Sequence, residues 1–294
     1  MSCSFSRVVV VLNPNSTGDG PSNARELRDE LSEQAPSLTV DLVETQHAGH
    51  AEELAYDAVT THDDVLVVSA SGDGGYHEVV NGVVRAGRDG ATSGSAAVLP
   101  SGNANDHATA VQRRPLLEGI VAGSRRRLDL LEVRADGGEP RVAHSYVGVG
   151  ITPVAAAALN EHDLDAVKET LLVAKAFWRY RPMTINHDGR DIDLDSLVFG
   201  NIDRMGKYAV IDEDSAPDDG RYETLLIPHR SKLRLLADFT RVLRGKHEVV
   251  SRSTPYGFTT HTPMPLQLDG ELMEVDGGTD VVVRCLPKAL STVF

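Results

Sequence analysis

The chain has 294 residues, enough for two domains that each bury a core, and its apolar fraction of 41% excludes a disordered polypeptide. Its formal net charge is -14, Asp outnumbers Glu, and the basic residues are overwhelmingly Arg. Phosphate backbones select for clustered Lys and Arg, so this balance argues against a nucleic-acid partner; the run Arg125-Arg126-Arg127 is too short to alter that and reads as a solvated strand entry. A surface rich in short carboxylates and poor in Lys fits a halophilic protein, kept soluble in concentrated salt. Cys3 and Cys285 give neither a disulfide framework nor a zinc spacing, which fits a reducing cytoplasm. The first residues lack the apolar core of a signal peptide, and no apolar run reaches the about 18 residues a spanning helix needs. Any membrane contact is therefore expected to be peripheral.

Val8 to Leu12 is wholly apolar and runs into Asn13-Pro14-Asn15-Ser16-Thr17-Gly18, the pattern of a buried parallel strand ending in a turn. Leu27 and Leu31 mark one face of a helix, Leu38 to Val43 predicts a second strand, and Gly49 to Val59 a second helix. Val65 to Val68 predicts a third strand that enters a glycine-rich loop. After it Val79, Val80, Val83 and Val84 recur at helical spacing as far as Gly87, and Ala96 to Leu99 predicts a fourth strand ending at Pro100. Residues 1–127 thus read as an α/β domain, a doubly wound parallel sheet whose ligands belong beyond the carboxyl ends of the strands.

Beyond this point strands pair locally. Leu128 to Arg134 and Val142 to Val149 predict a hairpin around residues 135–140, and another turns at Asn186-His187-Asp188-Gly189. Further strands at Arg221 to Ile227 and Asp280 to Cys285 join amphipathic helices at Ala166 to Tyr180 and Lys232 to Leu243. Residues 128–294 therefore read as an antiparallel, β-sandwich-like domain with helices, whose last residues are free to return to the first domain. The cleft between the domains is the expected active site.

The segment Ser71-Gly72-Asp73-Gly74-Gly75-Tyr76-His77-Glu78 follows a buried strand and opens a helix. Glycines there let backbone N–H groups turn toward an anion, and the helix N-terminus adds partial positive charge, so a phosphate fits. The Gly-Lys-Ser/Thr ending of a Walker loop is missing, and the dinucleotide fingerprint is not met. The eleven histidines show no paired-ligand spacing of a transition-metal site, and Ser71 and Ser101 lack the Gly-x-Ser-x-Gly elbow of a hydrolase.

Gly72-Asp73-Gly74, with Glu78 and Asn81-Gly82 after it, resembles the Gly-Gly-Asp-Gly-Thr…Glu-Val…Asn-Gly signature of the diacylglycerol kinase catalytic-domain family, shared by sphingosine, ceramide and bacterial lipid kinases. Three further segments resemble the family in order: Asn13-Pro14-Asn15-Ser16 its first nucleotide loop, Leu99 to Asp106 its Pro-x-Gly-Thr-x-Asn-Asp loop, and Asp269-Gly270-Glu271 its catalytic Asp-Gly-Glu. The resemblance implies a lipid kinase that uses ATP and Mg²⁺. It places ATP phosphates over Ser71, Gly72, Asp73, Gly74, Gly75, Tyr76 and His77, adds Asn13, Ser16, Thr45, Glu78 and Asn103 as nucleotide contacts, and has Asp73 orient the loop or hold Mg²⁺ through water. It makes Asp269 the general base that takes the proton of the acceptor alcohol, with Glu271 orienting it or sharing the metal. The acidic stretch Asp212 to Arg221 resembles a loop that holds a structural Mg²⁺ in bacterial lipid kinases, with Asp219 as the matching carboxylate.

The chain departs from the signature at three places: Ser71 replaces the first Gly, Gly75 stands in place of Thr, and Asn103 stands where Thr or Ser is usual. The expected partner is a lipid alcohol of diacylglycerol, sphingoid or isoprenoid type, met at the membrane surface by a cytoplasmic enzyme, and a homodimer is left open. NAD kinase, with a related Gly-Gly-Asp-Gly loop, and a nucleotide-binding regulatory protein without turnover are the rival readings. Segment order favours the lipid branch over the first, and retention of Asp269 weighs against the second.

Overall fold

A computed structural model describes residues 5–14, 19–91, 94–102, 105–150, 181–205, 209–243 and 247–294. Ser16, Asn103 and the helix expected at Ala166 to Tyr180 lie outside the described residues. The chain divides into two compact units, one formed by Met1–Leu130 with Pro287–Phe294 and the other by Leu131–Leu286.

In the first unit the elements alternate: β1 (Arg7–Leu12), α1 (Gly20–Gln34), β2 (Thr39–Glu44), α2 (His50–Thr61), β3 (Val65–Ser71), α3 (Asp73–Arg88), β4 (Gly94–Pro100), then the short helices α4 (Asp106–Val111) and α5 (Leu116–Ala122) and the start of β5 (Arg125–Ala135). The strands form a parallel sheet in the order β2-β1-β3-β4. Val8 to Leu12 and Val65 to Val68 are buried, as strands covered on both faces must be. Ala24, Leu27 and Leu31 of α1 pack in a core with Val8, Val10, Leu66 and Val68, to which Leu116, Ile120 and Val293 also belong. Val79, Val80, Val83 and Ala86 make the buried stripe of α3. A β-carbon on Gly82 would lie 2.3 Å from the Glu52 carbonyl oxygen and 2.8 Å from Ala55 Cβ, so the glycine that closes Asn81-Gly82 is there to let α3 lie against α2.

The second unit is antiparallel. Its elements are the rest of β5, β6 (Arg141–Ala143), β7 (Tyr146–Gly150), β8 (Met183–His187), β9 (Arg190–Gly200), β10 (Arg204–Met205), β11 (Ala209–Val210), β12 (Tyr222–Pro228), α6 (Lys232–Leu243), β13 (Val250–Arg252), β14 (Tyr256–Thr260), β15 (Met264–Leu268), β16 (Glu271–Val275) and the first half of β17 (Asp280–Val293). The large sheet runs β16-β15-β7-β9-β8-β14-β17-β5-β6, with β12 on β9 and β13 on β12. Three turns among the described residues are legible as Asp-Gly pairs with positive φ at both residues: Asp136-Gly137 lies between β5 and β6, Asp188-Gly189 joins β8 to β9, and Asp269-Gly270 joins β15 to β16. Alternate residues such as Val147, Leu197, Phe199, Tyr222, Tyr256, Leu266 and Val281 form the main core of this unit. Tyr146, Val198, Leu225 and Ile227 point the other way and pack with Leu235 and Val242 of α6. The expected fold class is thus the observed one. The strand predicted over Val142 to Val149 is two strands, because β6 ends at Ala143 and β7 starts at Tyr146.

Candidate phosphate loop and carboxylate sites

In the first unit the predicted loops lie at the carboxyl ends of the parallel strands. Asn13 is exposed directly after β1, and Thr45, after β2, donates its N–H to the Leu12 carbonyl at 2.9 Å, which ties these two ends together. β3 delivers Ser71 to the mouth of α3, and β4 delivers the Pro100-Ser101-Gly102 turn beside it, with the Ser101 N–H on the Ser71 carbonyl at 3.1 Å. The two turns cross backbone to backbone. A β-carbon on Gly102 would lie 2.5 Å from Gly72 Cα, and one on Gly72 would lie 3.2 Å from Gly102 Cα. Neither glycine has positive φ, so close approach is their reason for being glycine. Asn105, at φ 52°, closes the second turn by accepting the Gly102 N–H at 3.0 Å and donating to its carbonyl at 2.7 Å.

The two acids of the signature are spent on neighbouring helices. Asp73 accepts the N–H groups of Asp106 and His107, each at 3.2 Å, and so caps α4 from another element. Glu78 accepts the N–H groups of Gly49 at 3.0 Å and Ala51 at 3.1 Å, capping α2. Between them α3 begins at Gly72 with no side-chain cap of its own. Each carboxylate sits against the positive end of a helix, which offsets its charge, and the first turn of α3 keeps the N–H groups and partial charge that suit a phosphate. Of the two roles expected for Asp73, orienting the loop is the one its hydrogen bonds serve. Tyr76 and His77, expected among the nucleotide contacts, are buried: the Tyr76 ring packs 4.9 Å from the His107 ring, and the Asn81 side chain donates to the His77 carbonyl at 2.9 Å. Helical spacing turns both inward with Val79 and Val80. Residues the sequence reading did not single out are Ser69, whose hydroxyl lies 2.7 Å from that of Ser71, and Asn23, which donates to Ser101 Oγ at 3.3 Å. Asn23 sits on α1 and carries no local signal.

In the second unit Asp269 is buried at 2% exposure. Its carboxylate accepts the backbone N–H of His144 at 2.8 Å, of Ser145 at 2.9 Å and of Tyr146 at 3.1 Å, and His144 Nε2 lies 3.4 Å away. Such an arrangement fixes the side chain and satisfies it as an anion. It is also why β6 and β7 are separate: the turn between them serves Asp269 instead of a ladder. Glu271, two residues on, is exposed at the start of β16.

Asp219 is exposed and accepts the Arg221 N–H at 2.9 Å. Close by, Glu223 is buried and accepts the hydroxyls of Ser215 at 2.5 Å and Ser251 at 3.2 Å. Burial raises its carboxyl above the usual range, those two hydrogen bonds pull it back, and the charges of Asp219 and Asp212 push it up again. Asp212 and Asp219 share a negative field with Glu223. The tighter cluster of ligand atoms among the described residues is His47, His50 and Glu53, within 4.8 Å of one another. It suits Mg²⁺ poorly, and His50 Nδ1 already accepts the Gln46 N–H at 3.0 Å.

Among the described residues no helix is long and apolar enough to cross a membrane. An α/β unit with a glycine-rich turn at its strand ends is joined in one chain to an antiparallel unit that buries the aspartate of an Asp-Gly-Glu turn. Residues 7–133 match the family described as "Diacylglycerol kinase catalytic domain". A protein of Xanthomonas oryzae pv. oryzae named "Probable lipid kinase YegS-like" is 28% identical over 96% of this chain and 94% of its own length. A "Diacylglycerol kinase" of Bacillus subtilis is 24% identical over 77% of each chain. The crystal structure of a diacylglycerol kinase from Bacillus anthracis str. Sterne superposes with a TM-score of 0.68 at 15% identity, covering 100% of this chain and 98% of the other, and a further one from the same source reaches 0.73 at 17%. The structural likeness establishes the fold, and the sequence matches show similarity to proteins that carry lipid kinase names.

Proposed function

We propose that the protein transfers the γ-phosphoryl group of ATP to the hydroxyl of a lipid alcohol. The observation that carries this reading is the mouth of α3, where two glycine turns cross, the helix has no side-chain cap, and the nearby carboxylates of Asp73 and Glu78 are held on the N-termini of α4 and α2. A polyphosphate can lie there without meeting an uncompensated negative charge. Phosphoryl transfer asks little covalent chemistry of a protein, so positioning the phosphates and removing the acceptor's proton account for most of the task. Asp269, held as an anion by three backbone N–H groups, is the carboxylate we assign to that proton, and Glu271 supports it from the exposed side of the turn. Mg²⁺ bound to ATP supplies charge neutralisation when present. Asp219, the carboxylate that the resemblance matches to a structural Mg²⁺ site, would hold a second ion in the loop before β12.

The lipid kinase names of the relatives support this acceptor class over NAD. The enzyme then works in the cytoplasm, touching the membrane surface only to reach its substrate. The test is a transfer assay with γ-labelled ATP, Mg²⁺ and high KCl, offering a lipid extract, NAD⁺ or buffer in parallel, with Asp269→Asn and Glu271→Gln alongside the unmodified protein. Label entering lipid, lost in Asp269→Asn and reduced in Glu271→Gln, is the expected outcome. Label in NAD⁺ overturns the acceptor assignment. ATP binding without transfer to any arm makes the protein a nucleotide sensor, and a folded Asp269→Asn with full activity transfers the base to Glu271.

A further inference from the structure

Gly75 is the third residue of α3, and its φ is not positive, so nothing in its backbone conformation calls for glycine. The side-chain space is what is missing. A β-carbon there would lie 2.5 Å from Ser71 Oγ and 2.9 Å from Ser71 Cβ, with Ser69 Oγ at 3.7 Å. The serine that ends β3 therefore fills the place where a side chain at position 75 would begin. In the signature that this loop resembles, the two positions carry the opposite residues, glycine first and a hydroxyl residue fifth. The chain has moved the hydroxyl from the helix to the strand end and the bare backbone from the strand end to the helix.

We infer that Ser71 is the phosphate-binding hydroxyl of this loop and that Ser71 and Gly75 work only as a pair, an inference that rests on the nucleotide reading above. The surroundings support it. Ser71 Oγ donates to the Gly72 carbonyl at 3.0 Å, so the contact of 2.7 Å with Ser69 has the Ser69 hydroxyl as donor. Ser69 is buried at 2% exposure and cannot turn to solvent, which holds Ser71 Oγ at the mouth of the uncapped helix. When a phosphate arrives, the Ser71 hydroxyl rotates from the Gly72 carbonyl to a phosphate oxygen while still accepting from Ser69. The charged acceptor makes the stronger bond. The structure thus gives Ser69 a part as the positioning residue behind Ser71.

The experiment is a calorimetric titration with ADP and Mg²⁺, run beside thermal melts, for the unmodified protein, Ser71→Ala, Gly75→Thr and the exchange Ser71→Gly with Gly75→Thr. Ser71→Ala is expected to melt somewhat lower, because the buried Ser69 hydroxyl loses its acceptor, and to weaken ADP binding about tenfold, the scale of one hydrogen bond to a charged group. Gly75→Thr alone is expected to melt lower and bind ADP poorly, because its β-carbon meets Ser71. The exchanged protein recovers both, binding within about threefold of the unmodified protein, a rescue that non-additive neighbours give and independent sites do not. Unchanged ADP affinity in Ser71→Ala overturns the inference while leaving the nucleotide reading intact, and so does an exchanged protein no better than Gly75→Thr. An unmodified protein that binds no ADP overturns both together.

Discussion

Two glycines and one aspartate show how closely single residues constrain the loops. Gly102→Ala would put a methyl group 2.5 Å from Gly72 Cα, backbone against backbone, where no flexible side chain can give way. Overpacking of this kind costs about 1–3 kcal/mol, and here it also separates the two turns at the strand ends. The expected result is a lower melting temperature together with lost ADP binding in a titration. Asp269→Asn acts differently. It turns an acceptor into a partial donor facing three backbone N–H groups, leaving at least one buried donor unsatisfied at about 1–3 kcal/mol. Glu271→Gln, exposed, should stay within about 0.5 kcal/mol of the unmodified protein in urea unfolding. The stability of the two variants must be known before their transfer rates are compared, since loss of activity in Asp269→Asn counts for catalysis only in the fraction that is folded.

At the scale of elements, α3 acts as a clamp on two helix starts. Its Asp73 holds the first turn of α4 and its Glu78 that of α2, each contribution worth about 0.5–2 kcal/mol by the usual cost of losing a cap. Glu78→Ala should therefore speed amide hydrogen exchange at Gly49 and Ala51 while leaving Asp106 and His107 protected, and Asp73→Ala should do the reverse. Equal effects at both places would mean that the whole loop cluster had melted. The same contacts explain what the sequence made legible and what it did not. β1 to β4, α2, α3 and α6 announce themselves through apolar runs and helical periodicity, all local signals. The short helix α4 is started by a carboxylate 33 residues away in sequence, and the break between β6 and β7 is set by Asp269, 125 residues from His144. No window of sequence contains both partners. The loop motif likewise showed its residues but not their division of labour: Tyr76 and His77 serve the core, Asp73 and Glu78 serve neighbouring helices, and Ser71 is left at the mouth.

Tyr222 links an element to the behaviour of its whole unit. It is fully buried, donates to the Thr254 carbonyl at 2.8 Å, and burial pushes its phenol up to about 12 from 10.0. Below pH 10 both folded and unfolded chains keep the proton and the group contributes no pH dependence. Between about 10 and 12 the unfolded chain gives up the proton while the folded one retains it, so unfolding gains and stability falls as pH rises. Alkaline urea titrations should show this loss, and Tyr222→Phe, though weakened by about 1 kcal/mol through the lost hydrogen bond, should show a flatter curve over the same interval. Tyr256, also raised by burial, leaves a residual slope.

At the scale of the whole molecule the charge of -14 has to be held together by a core that gains nothing from it. Several of the ion pairs that are present, Arg28 with Asp29 and Arg241 with Asp238 among them, are surface contacts worth at most about 1 kcal/mol each. Net repulsion among the remaining carboxylates weakens with salt, whose screening length falls from about 10 Å at 0.1 M to about 3 Å at 1 M. Raising KCl from 0.1 to 1 M should raise the melting temperature by several degrees, equivalent to about 1–3 kcal/mol for a chain with units of this size. Potassium sulfate and sucrose separate the causes. Screening predicts that most of the gain arrives by about 1 M KCl and that sucrose, which carries no charge, reproduces little of it. A melting temperature that is flat in KCl but rises with sucrose would mean that the acidic surface is tolerated without salt, and the compositional argument for a saline habitat would fail.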